Sequence, residues 1–265
     1  FVILIDSENA LDETWLQALG VDTDEKKLLK LSLSMIDDVA KTVSEFMKSY
    51  KDEHAENREG ETDLLFPAQY AKPETMRQLR LDCGGLLFLA IGHEVGEKFG
   101  MPYLQDIHTE SVLMEKYPVL YELQTNDLQY DARSAFTLSI NHRETFTGIT
   151  DRDRALTTRR FAELYSEVKD DAEAIEKLGK EFRTPGHIPV CRESPGGLSS
   201  RQGHTELAVA IARLAGQVPA TIGAEMLQPD GDGALSVEDA RSYASKYKIP
   251  MITGEDLLNA LNIDK

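Results

Sequence analysis

The sequence predicts an α+β fold, a mixed β-sheet with helices packed on it. Short apolar runs of strand length, such as Gly85–Ile91 and Thr221–Leu227, interleave with amphipathic helical stretches such as Thr205–Ala215. The two kinds of element follow no strict βαβ rhythm, and no internal repeat points to a solenoid or propeller. With 265 residues, 41% of them hydrophobic, the chain can bury one large core or two modest ones.

Phe1–Ile5 reads as a buried strand ended by the polar Asp6-Ser7-Glu8-Asn9. From about Leu11 to Tyr50 the pattern becomes helical. Leu28, Leu29, Leu31, Met35, Ile36, Val39, Val43, Phe46 and Met47 recur at helical spacing, which predicts a long amphipathic helix after a shorter one around Trp15. Residues 51–61 are too charged for a core. Leu64–Phe66 reads as a strand, Pro73–Leu81 as a helix opened by proline, and Gly85–Ile91 as a strongly apolar strand. Ala135–Asn141 alternates like a strand, and Asp151–Val168 is helical. Thr205–Ala215 is a helix with Gly216 as its C-terminal cap. Thr221–Leu227 is a strand. Ser236–Tyr247 and Thr253–Leu261 are closing helices, each opened by a hydroxyl residue with an aspartate three positions on.

The formal net charge of −17 argues against nucleic-acid binding, which needs a basic face. No apolar run approaches the ~20 residues of a membrane span. No secretory leader is visible, and the opening inside an apolar run predicts a short preceding piece. Two cysteines, Cys83 and Cys191, make no disulfide framework and predict a reduced, cytoplasmic protein. An acidic protein that binds an anion must gather its arginines and histidines locally.

Four groups of residues could do chemistry. Arg58-Glu-Gly-Glu-Thr-Asp63 places three carboxylates and an arginine around a glycine. Carboxylate oxygens suit Mg²⁺, although a solvated charged loop would have the same composition. Arg201-Gln-Gly-His-Thr-Glu206 leads into a helix, so Arg201, Gly203 and Thr205 could cradle a phosphate at its N-terminus. His204 there could ligate a metal or shuttle a proton. Ordinary capping by Thr205 is the competing account. His187 follows a Pro-Gly turn, which holds it on a loop rather than in a core face. Glu225 interrupts an apolar strand whose alternation puts Ile222, Ala224 and Met226 on one face and Glu225 on the other. A glutamate there is paired, functional or at an exposed edge. Asp230-Gly-Asp-Gly233 echoes half of a calcium loop but follows a strand, and reads as a turn.

These groups, in this order, resemble the 3,4-dihydroxy-2-butanone 4-phosphate synthase family. The resemblance is carried by Arg58–Asp63, Gly84-Gly-Leu86, Gly148-Ile-Thr150 with Asp153-Arg-Ala155, Pro185-Gly-His187, Arg201–Glu206 and Glu225. It covers residues 1–8 and about 57–265, and Asn141–Gly148 is closer to archaeal members than to the short bacterial ones. It implies an α+β sandwich, active as a homodimer with sites at the interface. The implied reaction converts D-ribulose 5-phosphate to 3,4-dihydroxy-2-butanone 4-phosphate and formate, with Mg²⁺ or Mn²⁺ as cofactor. By motif, Glu59 and His204 would hold the metal. Arg58, Glu59, Asp63, Arg201, Gly203, His204, Thr205 and Glu225 would surround the substrate. His187 and Glu225 would be the acid–base pair, His187 supplied across the dimer interface, with Asp63 beside them.

One departure from the family is large. Asp6-Ser7-Glu8 and Asn57-Arg58-Glu59 would join into the family's acidic loop if the residues between were removed. A helical element of roughly 9–56 therefore interrupts a single catalytic domain. It leaves open whether Asp6 and Glu8 reach the site. Two other readings compete. One is a non-catalytic phosphosugar-binding or regulatory module on the same fold, and the other a different metal-dependent phosphosugar isomerase or lyase. Release of formate separates the first reading from both.

Overall fold

A computed structural model of the chain describes residues 2–5, 28–31, 62–125, 133–168 and 173–263. The chain divides into two compact units, Phe1–Glu59 and Gly60–Lys265. In the first, β1 (Val2–Ile5) pairs in parallel with β2 (Leu28–Leu31). The strand expected at the start is present. The helix expected through Leu28–Leu31 is not, because four residues, three of them leucine, satisfy strand and helix periodicity equally and here find a strand to pair with. The rest of the expected helical element, with Asp6, Glu8, Arg58 and Glu59, lies outside the described residues.

The second unit is built on a four-stranded mixed sheet in the order β3-β8-β4-β7. These strands are β3 (Asp63–Pro67), β4 (Gly84–Ile91), β7 (Val190–Arg192) and β8 (Ala220–Met226). β8 is antiparallel to both neighbours, and β4 is parallel to β7. A separate antiparallel pair joins β5 (Ile140–His142) to β6 (Phe182–Ile188).

The helices among the described residues are, in chain order, α1 (Pro73–Asp82), α2 (His93–Lys98), α3 (Leu104–His108), α4 (Ser111–Lys116), α5 (Val119–Glu122), α6 (Asp151–Val168), α7 (Ala174–Glu181), α8 (His204–Leu214), α9 (Val237–Tyr247) and α10 (Gly254–Leu261). α9 and α10 start as expected: Ser236 and Thr253 accept from the backbone N–H of Asp239 and Asp256. The expected strand over Ala135–Asn141 is shorter. Phe136 makes only an isolated bridge to Cys191, and regular pairing begins at Ile140. Asp230–Gly233 is a turn, closed by the Gln228 N–H donating to the Gly233 carbonyl at 3.0 Å.

Period-2 alternation divides the central strands between two cores. Leu87, Leu89 and Ile91 of β4 join Ile222, Ala224 and Met226 of β8 in the main core, with Met76 and Leu79 of α1 and Phe161 and Leu164 of α6. Phe88 and Ala90 face the other way, against Cys191 and against Ala208 and Val209 of α8. The sheet is therefore covered on both faces. Gly223 lets β8 lie close to β3, since a Cβ there would sit 2.4 Å from Leu65 Cδ2.

Ile222 is fully buried at the centre of this sheet. Ile222→Ala should cost about 2–5 kcal/mol in urea unfolding, while Tyr70→Ala, on the surface, should change stability by no more than about 0.5 kcal/mol. Equal effects from the two substitutions would contradict this assignment of the core.

Candidate active site

The register of β3 against β8 pairs Asp63 with Glu225. Both leave the main core and face the α8 side, because the alternation that buries Ile222, Ala224 and Met226 turns Glu225 the other way. On the opposite edge of β8 the pairing with β4 slips between Gly84 and Leu87, forming a bulge. The bulge turns the Leu86 N–H onto Glu225 Oε2 at 3.2 Å. Gly84, at φ +83°, starts this irregularity. Gly85 allows the close approach, since a Cβ there would lie 2.5 Å from the Glu225 carbonyl oxygen. The Gly84-Gly-Leu86 motif is thus the part of β4 that grips Glu225.

Helix α8 brings the third group. Its N-cap is Gly203, in extended conformation, and His204 is its first residue. The competing account, capping by Thr205, does not hold: Gly203 is the N-cap, and Thr205 is a buried residue inside the first turn. His204 Nδ1 lies 2.7 Å from Asp63 Oδ2. A carboxylate only accepts, so a neutral His204 carries its proton on Nδ1 and its lone pair on Nε2. Asp63 Oδ1 is buried without a hydrogen-bond partner among the described residues. An orphaned carboxylate oxygen beside an oriented imidazole fits a cation or a sugar hydroxyl. Among the described residues no three His, Cys, Asp or Glu side chains gather into a metal cluster, and Glu59 lies outside them.

Arg201 forms an ion pair with Glu206, a glutamate with no exposed surface, which also accepts from the Ser194 N–H at 2.9 Å. This pair fixes the loop before α8, so the arginine expected to meet a phosphate is anchored by its own helix. Cys191 is buried on the same face of the sheet, packed with Ala208 and Val209 of α8.

His187 belongs to the other sheet. Ile140 pairs with Ile188 and the next residue, Asn141, with Arg183, so Thr184–His187 form a bulge that the pairing steps over. The expected loop is thus a strand interruption, and His187 is exposed on it. Gly186 sits so close to β5 that a Cβ there would overlap the Ile140 carbonyl carbon at 1.9 Å. The His187 backbone N–H donates to Asn141 Oδ1 at 2.8 Å, and Asn141 Nδ2 lies 3.1 Å from His187 Nδ1.

Asp63, Glu225, His204, Arg201, Gly203 and Thr205 therefore converge from β3, β8 and the start of α8, while His187 stands on β6. Sequence reasoning missed Asn141, Glu206 and Cys191 as neighbours of the site. Only Glu206 carried a signal, as a glutamate inside the Arg201 motif. Two open depressions of about 560 and 500 Å³ flank Arg213 and include none of Asp63, His187, His204 or Glu225.

A strand carboxylate pair with a histidine from a helix start, on an α+β sheet, is the arrangement that the comparisons with known proteins place in a family. The family model for 3,4-dihydroxy-2-butanone 4-phosphate synthase matches residues 52–260. The synthase of that name from Methanothermobacter thermautotrophicus is 41% identical over 206 residues, covering 78% of this chain and 87% of the relative. That from Archaeoglobus fulgidus is 41% identical over 204 residues, covering 77% and 84%. A crystal structure of a 3,4-dihydroxy-2-butanone 4-phosphate synthase in complex with two magnesium ions superposes with a TM-score of 0.57 at 25% identity, covering 78% of this chain and 87% of that one. The chain belongs to the 3,4-dihydroxy-2-butanone 4-phosphate synthase family of riboflavin-biosynthetic enzymes.

Both cysteines are buried and free, and burial pushes each thiol up to about 12. At pH 8 only about one in 10⁴ would be thiolate, the form that reacts. A thiol reagent should therefore label neither in the native protein and both after guanidinium unfolding. Because the folded pKa values are raised, the thiols' contribution to stability is complete below about pH 8.5 and is lost as pH climbs towards 12. Native labelling at the rate of a free thiol would refute this burial.

Proposed function

We propose that this chain converts D-ribulose 5-phosphate to 3,4-dihydroxy-2-butanone 4-phosphate and formate with a divalent cation, Mg²⁺ or Mn²⁺. The observation that carries the reading is the convergence of Asp63, Glu225 and His204, far apart in sequence, at one end of one sheet face. His204 Nε2 and Glu59 would hold the cation. When bound, it supplies Lewis-acid polarisation of the sugar's oxygens and keeps neighbouring ones aligned. Glu225, held by the Leu86 N–H, is the base for the C3 proton. Asp63 orients His204 through one oxygen and offers the other to a substrate hydroxyl. Arg201, with Arg58, and the N–H groups at the start of α8 hold the phosphate, and the buried Glu206 keeps Arg201 in place. The skeletal rearrangement then expels C4 as formate.

His187 is the acid–base partner, delivered by a second copy of the chain. Its exposure supports this, as does Phe146, 95% exposed on the turn whose Thr147 carbonyl meets Asn141. In this reading the whole chain is one catalytic domain interrupted at about 9–56. No helix among the described residues is long and apolar enough to cross a membrane, and two buried thiols suit a cytoplasmic protein.

Incubation with ribulose 5-phosphate and Mg²⁺ should release formate in step with substrate loss. EDTA should abolish the release, and excess Mg²⁺ should restore it. Substrate consumed without formate would sink the reading, and full activity in a metal-stripped sample would sink the metal assignment.

Glu225→Gln and His187→Asn should each lower kcat by at least about 100-fold, with KM within a few-fold. Near-native turnover in either would remove that residue from the mechanism.

A further inference from the structure

We propose that Asn141 is a positioning residue that holds His187 in the Nε2–H tautomer, so that the exposed edge of the ring is a hydrogen-bond donor. The inference rests on the catalytic reading of His187 given above, but its structural half stands on geometry alone.

Asn141 is buried beneath the bulge that carries His187. Its amide orientation is set by two backbone groups, independently of the imidazole. The His187 N–H must find an oxygen, and meets Oδ1 at 2.8 Å. The Thr147 carbonyl must find a donor, and meets Nδ2 at 3.4 Å. Flipping the amide would set an acceptor against a carbonyl and a donor against an N–H. The group facing His187 Nδ1 at 3.1 Å is therefore the amide NH₂. A donor there requires a lone pair on Nδ1, and the proton of the neutral ring resides on Nε2.

The amide itself is clamped. Gly148, at φ +88°, lies so near that a Cβ would stand 2.3 Å from Asn141 Nδ2. The Gly148 N–H donates to Asp153 Oδ2 at 2.8 Å, and Asp153 is a buried residue in the first turn of α6. The Gly148-Ile-Thr150 and Asp153-Arg-Ala155 motifs thus brace Asn141 from below, and Pro185-Gly-His187 presents the imidazole above it.

The chemical consequence divides the acid–base labour. Glu225 takes the C3 proton, while neutral His187 donates a hydrogen bond from Nε2 to the oxygen on which charge develops. A neutral imidazole used this way has precedent in enzymes that enolise phosphosugars.

The test is ¹⁵N NMR of the histidine rings in the full-length protein at a pH where they are neutral. His187 is assigned as the signal missing from His187→Asn. The wild type should show a protonated Nε2 and a bare Nδ1. Asn141→Asp keeps the shape but replaces the donor with an acceptor. It should move a proton onto Nδ1 and lower kcat by at least about 100-fold, with KM within a few-fold. Asn141→Ala guards against misfolding of the charged variant, and should show mixed tautomers with an intermediate kcat. A protonated Nδ1 in the wild type, or a tautomer unchanged in both variants, overturns the proposal. If the tautomer switches while turnover holds, Asn141 does position His187 but the step assigned to His187 is wrong. Full turnover in His187→Asn overturns the catalytic reading independently of the spectra.

Discussion

The second unit depends on the register that sets Asp63 opposite Glu225. Directly opposed residues on antiparallel strands stand about 5 Å apart, and like charges there repel. The fold tolerates the pair because each carboxylate has its own donor from a different element. Glu225 takes the Leu86 N–H, available because β4 bulges, and the bulge approaches because Gly85 has no side chain. Asp63 takes His204, available because α8 starts at that point. A cation between the strands and the helix, as in the proposed reaction, would relieve the remaining repulsion.

Buried charge elsewhere in the unit follows the same logic. Glu206 is inside the protein, answered by Arg201 and the Ser194 N–H. Glu193 is answered by Arg213 and by the His93 N–H at 3.0 Å. An isolated carboxylate would cost several kcal/mol in either place. Here each one ties a loop to a helix, and the Arg201 loop is the one that carries the site. Arg201 is consequently fixed by Glu206 at the start of α8.

Much of this was legible in the sequence. The strands at Leu64–Phe66, Gly85–Ile91 and Thr221–Leu227 and the helix over Asp151–Val168 have enough periodic residues for one pattern to win. Leu28–Leu31 does not, and this short leucine-rich segment is a strand where a helix was expected. The helices between His93 and Glu122 were invisible for the opposite reason: they are four to six residues long, too short to show a face. At the candidate site, the motifs singled out Asp63, His187, Arg201, His204 and Glu225, but no one-dimensional pattern pairs residue 141 with 187. That contact exists because β5 and β6 pair with a four-residue bulge, Thr184–His187, and registers are set by tertiary packing.

The separation of His187 from the rest of the cluster is itself informative. Asp63, Glu225 and His204 are half buried or better, on strands and a helix start with little freedom. His187 is exposed, yet its backbone N–H and ring are both held by a buried side chain, which is unusual for a surface histidine. Rigidity without burial serves a group that must be presented to something outside its own sheet. The acid–base chemistry proposed for His187 would also need water excluded, and an exposed ring cannot supply that alone. The apolar Phe146 on the adjoining turn gives the same surface a reason to be covered. In the reading proposed above, the braced histidine and the neighbouring phenylalanine would make this edge one half of a site, and the cluster at the Asp63 end of β3 in a second copy of the chain would supply the other half.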